Sequence, residues 1–208
     1  MRKMMLAGAA VGATMLGAAV IYYFREKATP GPEYRVLSSE GDLEIRDYPS
    51  IIVAETVVRG PRKAALRQGF GILADYIFGK SRNGEALPMT VPVLQDAGDP
   101  MASDPPMFDD MIEGGWRMRF VMPEGRTRRD LPEPPKEVAL VELPARRVAA
   151  VRFAGVADDD RLTEHEDQLR GWLSRRGERA DAEAEYAFYN SPMIPPPLRR
   201  SEVLIPLG

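Results

Sequence analysis

The side chains that could do chemistry are few. His165 is the only histidine among 208 residues, and there is no cysteine. A Ser-His-Asp or Cys-His constellation would have to use that one histidine, and no thiol nucleophile exists. Disulfides, iron–sulfur clusters and thiolate metal sites are excluded. His165-Glu166 lacks the second histidine of a zinc motif. Carboxylates are plentiful, but they are scattered through loops and helix starts with no pairing that spacing alone reveals. Gly69-x-Gly71 falls inside a helical pattern and carries no dinucleotide fingerprint. What remains is ligand-binding chemistry. The run "YNSPMIPPPLRRSEVL", Tyr189 to Leu204, sets a stiff apolar loop against two fixed cations, Arg199 and Arg200. Those arginines are either rim groups for an anion or ordinary solvated charges. His165 shares a helical stripe with Leu162, Leu169 and Trp172, so it is either a packed, hydrogen-bonded residue or an axial ligand to haem iron.

The elements that position these residues come from a repeat. Leu43 to Gly60 aligns without a gap on Val138 to Gly155 at a constant offset of 95 residues, placing Pro49 on Pro144, Val53 on Val148, Ala54 on Ala149 and Gly60 on Gly155. Each copy reads as strand, tight Pro turn, strand, a hairpin by pattern. An amphipathic helix follows each. The first spans Arg62 to Phe78 with Leu66, Phe70, Leu73 and Ile77 on one face. The second spans Asp159 to Arg176, with Asp158 to Asp160 at its start and Arg175-Arg176 at its end, each suited to the helix dipole. Further strands are expected at Leu87 to Leu94, Trp116 to Met122, Glu185 to Asn190 and Ser201 to Ile205. Two ββαββ halves, about 34–123 and 130–208, then form an α+β fold with pseudo-two-fold symmetry. Residues 96–115, "DAGDPMASDPPMFDDMIEGG", read as an acidic loop insertion. It is either a disordered excursion or a lid whose Met101, Met107, Phe108 and Met111 cover a ligand.

Composition sets the frame. Hydrophobic residues make up 44% and charged residues 28%, values of a folded body. A net charge of -3 gives no basic footprint for nucleic acid. Met4 to Phe24 contains no charged residue, and a helix of that length spans about 30 Å, the thickness of a bilayer core. Residues 1–33 therefore read as a membrane anchor or export signal followed by a Pro/Gly linker. Residues 34–208 read as the domain, held outside the cytoplasm on the periplasmic side.

Five stretches, in order, resemble the SOUL family of haem-binding proteins: "YRVLSSEGDLEIRDYPSIIVAE" from Tyr34, "GFGILADYIFGKSRNGEALPMTVPV" from Gly69, "FVMP" at Phe120, "YNSPM" at Tyr189 and "RRSEVL" at Arg199. The resemblance covers about residues 33 to 207. It implies a distorted antiparallel β-barrel flanked by two helices, similar to bacterial effector-binding domains. It implies non-enzymatic, non-covalent binding of haem or another tetrapyrrole beside the first helix and the loop before the last strand. By motif, the ligand-binding residues are Arg67, Phe70, Leu73 and Ala74 on the helix. On the loop they are Met193, Ile194, Leu198, Arg199 and Arg200. Some relatives carry lysine where this chain has Asp75 and Ile194. Two other readings stand beside this one. The same cleft would suit another apolar or amphiphilic small molecule. A tetrapyrrole-modifying enzyme would draw on residues such as Glu44, Glu55 and Tyr76.

Overall fold

The computed structural model describes residues 24, 26–80, 86–98 and 115–208. The apolar run expected to anchor the chain lies almost wholly outside the described residues, as does most of the acidic insertion. Among the described residues no helix is long and apolar enough to cross a membrane.

Among the described residues the domain has nine strands and two α-helices. In chain order they are β1 (Arg35–Glu40), β2 (Leu43–Tyr48), β3 (Ile51–Arg59), α1 (Arg62–Ile77), β4 (Val93–Gly98), β5 (Gly115–Val121), β6 (Ala139–Leu143), β7 (Arg146–Ala154), α2 (Asp159–Arg175), β8 (Glu185–Phe188) and β9 (Arg200–Leu207). A 3-10 turn, Pro196–Leu198, precedes β9. The strands form one antiparallel sheet in the order β1-β2-β7-β9-β8-β4-β5-β3-β6. Without the edge strand β1, this order is palindromic about the β8–β4 junction. The α+β architecture and its two pseudo-symmetric halves are those expected.

The pairing within each half differs from the hairpin reading. β2 pairs with β7, and β3 pairs with β6, so each repeat exchanges its strands with the other. The turns explain this. Only Pro49-Ser50 separates β2 from β3, and only Pro144-Ala145 separates β6 from β7. A two-residue hairpin needs positive φ at its first loop residue, and proline fixes φ near about -65°. The prolines turn corners, and the partners come from the other half. The repeat offset survives in the register. Ile45 pairs with Ala149, and shifting both by one repeat gives the observed pair Ala54 and Leu140.

A second difference concerns Leu87 to Leu94. The strand starts only at Val93 and continues to Gly98. Pro88 and Pro92 lack the N–H that a ladder requires, so residues before Val93 run without one. Asp96, expected in a loop, instead lies inside β4 and is buried.

Directly paired residues share a face of the sheet. The row Ala54, Phe120, Val93, Phe188, Ser201, Phe153 crosses six strands on the face that carries both helices. Below it, α1 packs Leu73, Tyr76 and Ile77 with Met118, Phe120 and Leu140. α2 packs Leu162, Leu169, Trp172 and Leu173 with Ala149, Val203 and Ile205. The opposite face curls inward around Tyr48, Leu94, Val148, Ala150, Ala187 and Leu204.

The segment read as a linker is held against the domain. Glu26 accepts hydrogen bonds from Asn190 Nδ2 (3.3 Å) and Ser191 N (3.2 Å). Val91 N donates to Pro30 O at 2.9 Å. A Cβ on Gly31 would stand 2.6 Å from Val91 O, so only glycine fits there.

Candidate functional site

Sequence reasoning gathers the site residues on two elements, α1 and the loop between β8 and β9. On α1, Leu73 is fully buried, Ala74 is half-buried and Arg67 is exposed. Phe70 is 45% exposed although its ring meets Phe120 edge-on at 5.4 Å. Phe78, just past the helix end, is 47% exposed and belongs with this set. Arg67 has no ion pair or hydrogen bond among the described residues.

The loop is rigid through its own contacts. Arg199 donates from Nε to Ile194 O (2.7 Å) and from Nη2 to Pro192 O (2.7 Å). Its guanidinium therefore braces the loop from inside. Ile194 is buried, while Met193 is 80% and Leu198 49% exposed. The residues of the two elements have different supports: α1 lies on β3 and β5, and the 3-10 turn lies on β7. Half-buried Val93 and Phe188 occupy the helix-bearing face between those supports.

Arg200 faces the other way. It sits on the inner face of the sheet, in register with a row that runs Glu55, Arg119, Leu94, Ala187, Glu202, Arg152 one pair further in. This row is apolar at its centre and charged at its ends. At one end Arg46 grips Glu202 with Nη1 (2.7 Å) and Nη2 (3.1 Å), and both side chains are fully buried. Arg200 Nη2 (2.7 Å), Arg152 Nε (3.2 Å) and Tyr189 OH (2.9 Å) also donate to Glu202, and Glu44 holds Arg46 Nε at 2.7 Å. Burial opposes ionisation of Glu202, but the hydrogen bonds and charges of Arg46 and Arg200 outweigh it and hold the carboxyl at about 2. At the other end Arg119 bonds Glu55 (2.7 Å) and Asp96 (2.6 Å). There burial wins over the charges of Arg119 and Arg117, and Asp96 is pushed up to about 6.

These contacts bear on the candidate acids. Glu44 and Glu55 are committed to arginines, and Tyr76 OH donates to Pro132 O at 2.8 Å beneath α1. Among the described residues, none of them lines either of the two cavities at the mouth of the curled sheet. His165 is half-buried and stacks on Phe153 at 4.0 Å. Its Nδ1 lies 2.7 Å from Arg161 O. That carbonyl can only accept, so Nδ1 carries a proton in this bond and Nε2 is the ring nitrogen outside it. Among the described residues there is no group of three metal-ligating side chains.

Two cavities open at the mouth of the curled sheet. One, of about 390 Å³, is lined by Tyr34, Tyr48, Tyr189, Asn190, Leu198 and Arg200 together with residues of the docked segment. The other, of about 940 Å³, has a floor of Ile51, Ile52, Val121 and Met122 and exposed Arg126, Arg128 and Arg129 at its edge. Gly31 and Pro32 line both, so the segment crosses one mouth and divides it. Sequence reasoning missed Tyr34, Tyr48 and Tyr189 as pocket walls. Tyr34 and Tyr48 flank β1 and β2 while Tyr189 follows β8, and only the pairing brings them together.

Solved structures of the same fold include an uncharacterized conserved protein from Listeria innocua (13% identity, TM-score 0.55, covering 82% of this chain and 94% of that one). A hydrolase from Listeria innocua is similar too (12%, TM-score 0.53, 83% and 94%). So is the C-terminal domain of EcmrR (12%, TM-score 0.53, 84% and 98%). No curated protein is similar enough in sequence to count as a relative. At such identities these likenesses establish the fold. The family model described as SOUL heme-binding protein matches residues 29–206, and the chain belongs to that family.

Proposed function

We propose that the protein binds haem or a related tetrapyrrole, non-covalently and without turnover, on the surface made by α1 and the β8–β9 loop. The observation that carries this reading is where the exposed large apolar side chains fall: Phe70 and Phe78 at α1, Met193 and Leu198 on the loop. Isolated apolar side chains on a surface need no explanation, but exposed ones on both elements to which the family resemblance points support the reading. A tetrapyrrole is a flat apolar plate with carboxylate arms. Phe70, Ala74 and Met193 would cover the plate, with Leu73 and Ile194 supporting them from beneath. Arg67 would meet a propionate by a charge-assisted hydrogen bond. Arg199 keeps the loop in shape. Any iron ligand from His165, which lies on α2, would have to be Nε2, since Nδ1 is engaged with Arg161 O. Met4 to Phe24 would hold this domain to a membrane on the periplasmic side, and the docked residues from Glu26 onward would fix its distance from that surface.

Titration of the full chain in detergent with haemin and with iron-free protoporphyrin tests the proposal. A Soret shift with haemin and tryptophan quenching with both are expected at micromolar ligand. Neither signal appearing would overturn it. Mass spectrometry of molecules that co-purify with the native protein separates this reading from binding of another amphiphile, which predicts recovery of a ligand without a tetrapyrrole spectrum.

A further inference from the structure

We infer that the inner-face cavity of about 390 Å³ is a second site, which shares Leu198 of the β8–β9 loop with the tetrapyrrole surface, and that it takes a small planar aromatic carboxylate. Three features of the cavity carry this. Its walls are aromatic. The Tyr34 and Tyr48 rings lie 5.0 Å apart at 42°, and Tyr189 closes another side. The phenols of Tyr48 and Tyr189 are already engaged, with Arg46 Nη1 at 3.2 Å and with Glu202 at 2.9 Å. Tyr189 has spent its hydroxyl proton and offers its ring surface, while Tyr48, which only accepts from Arg46, keeps a proton to donate.

The charge is unbalanced. The network behind the tyrosines joins three guanidiniums, buried Arg46 and part-exposed Arg152 and Arg200, to two carboxylates, Glu44 and Glu202. Arg200 lies over Tyr189 at 4.0 Å and gives Nε and Nη2 to Glu202 Oε1, which leaves its Nη1 for a ligand. Lys27, on the docked segment, lines the cavity with no partner among the described residues. The one carboxylate in the lining, Glu26, is spent on Asn190 and Ser191. A monoanion would complete the balance.

The size is limiting. This volume stands at the low end of the range for small-molecule pockets, about 300–1,000 Å³, and suits one or two fused rings better than a tetrapyrrole. The site also lies on the face of the sheet opposite the helices.

Calorimetry on the full chain in detergent, with 1-naphthoate and its near-isosteres 1-naphthylmethanol and 1-naphthylmethylammonium, tests the inference. Naphthoate should bind about tenfold or more tighter than the ammonium, a difference of about 1.4 kcal/mol. Tyr34→Leu should weaken naphthoate binding severalfold. Lys27→Gln, an exposed change that leaves the fold alone, should narrow the gap between anion and cation. Saturating haemin should shift naphthoate affinity less than Tyr34→Leu does, because only Leu198 is shared. Equal binding of anion and cation, or no effect of Tyr34→Leu, would overturn the site. Full displacement by haemin would overturn it as a second site and merge it with the tetrapyrrole surface. Naphthoate binding in a chain that ignores haemin would support this site while the proposed function failed.

Discussion

α1 and α2 follow equivalent strands of the repeat, yet they are built differently. α2 opens on Asp158, whose carboxylate accepts from Arg161 N at 3.1 Å, with Asp159 and Asp160 in its first turn and Arg175 in its last. α1 opens on Pro61 with no side-chain cap, no acid in its first turn and no base in its last. α2 buries Leu162, Leu169, Trp172 and Leu173. α1 contains Gly69 and Gly71 and leaves Phe70 exposed. α2 is capped and charged to suit its dipole at both ends, though it too holds a glycine, Gly171, whereas α1 lacks those end features. Such breaches concentrate where a surface serves something other than folding. Both helices bury an apolar stripe, Leu73, Tyr76 and Ile77 on α1 and Leu162, Leu169, Trp172 and Leu173 on α2, but α1 also leaves a large aromatic, Phe70, at the surface.

The largest effect that separates them is Trp172→Ala. The indole is 1% exposed, donates Nε1–H to Glu40 at 2.7 Å and lies under Arg176 at 4.7 Å. Its loss should cost about 3–5 kcal/mol in urea unfolding. Phe70→Ala, on α1, should cost less than about 1 kcal/mol, since nearly half of that ring already meets water. Equal costs would break the contrast. Binding should reverse the order. Covering the exposed part of Phe70 with a tetrapyrrole is worth about 1–2 kcal/mol, so Phe70→Ala should weaken haemin affinity about tenfold. An unchanged dissociation constant would remove α1 from the site.

Much of this was legible in the residues. The offset between the repeats was legible and relates one strand register to the other, but it does not say which strands pair. Hidden were features that depend on which strand lies beside which. Leu-Glu-Ile-Arg-Asp-Tyr at 43–48 alternates like a strand with one wet face, yet Arg46 is wholly buried. Its partner Glu202 lies on β9, and alternation cannot distinguish a solvated charge from one neutralised across a curled sheet. The same holds for Asp96 and Arg119. Pocket walls from Tyr34, Tyr48 and Tyr189 have no local signature, whereas α1 and the Pro-rich loop announce themselves by composition. Arg199 and Arg200 read alike as rim charges. In the fold one braces the loop and the other turns inward, because alternation along the start of β9 sends neighbours to opposite sides.

A smaller effect lies at the helix starts. Asp158→Ala removes the bond to Arg161 N and should cost about 1 kcal/mol. For a chain of this size that lowers Tm by about 2–4 °C. The same measurement on Pro61→Ala should show no loss of a cap, as no side chain caps α1.

The smallest and most pointed contrast lies within α1. A Cβ at Gly71 would meet nothing within 4 Å. In an exposed helix interior, Gly71→Ala should therefore stabilise by about 0.5–1 kcal/mol by reducing the freedom of the unfolded chain. At Gly69 a Cβ would stand 3.4 Å from Thr56 Cγ2 and 3.6 Å from Met118 Cβ, where α1 crosses β3 and β5. Gly69→Ala should lose that gain to crowding. Gly69 is thus explained by packing, while Gly71 is not. If α1 yields to a ligand, Gly71→Ala should raise Tm and weaken haemin binding together. A higher Tm with unchanged haemin affinity would show that α1 serves its ligand as a rigid wall.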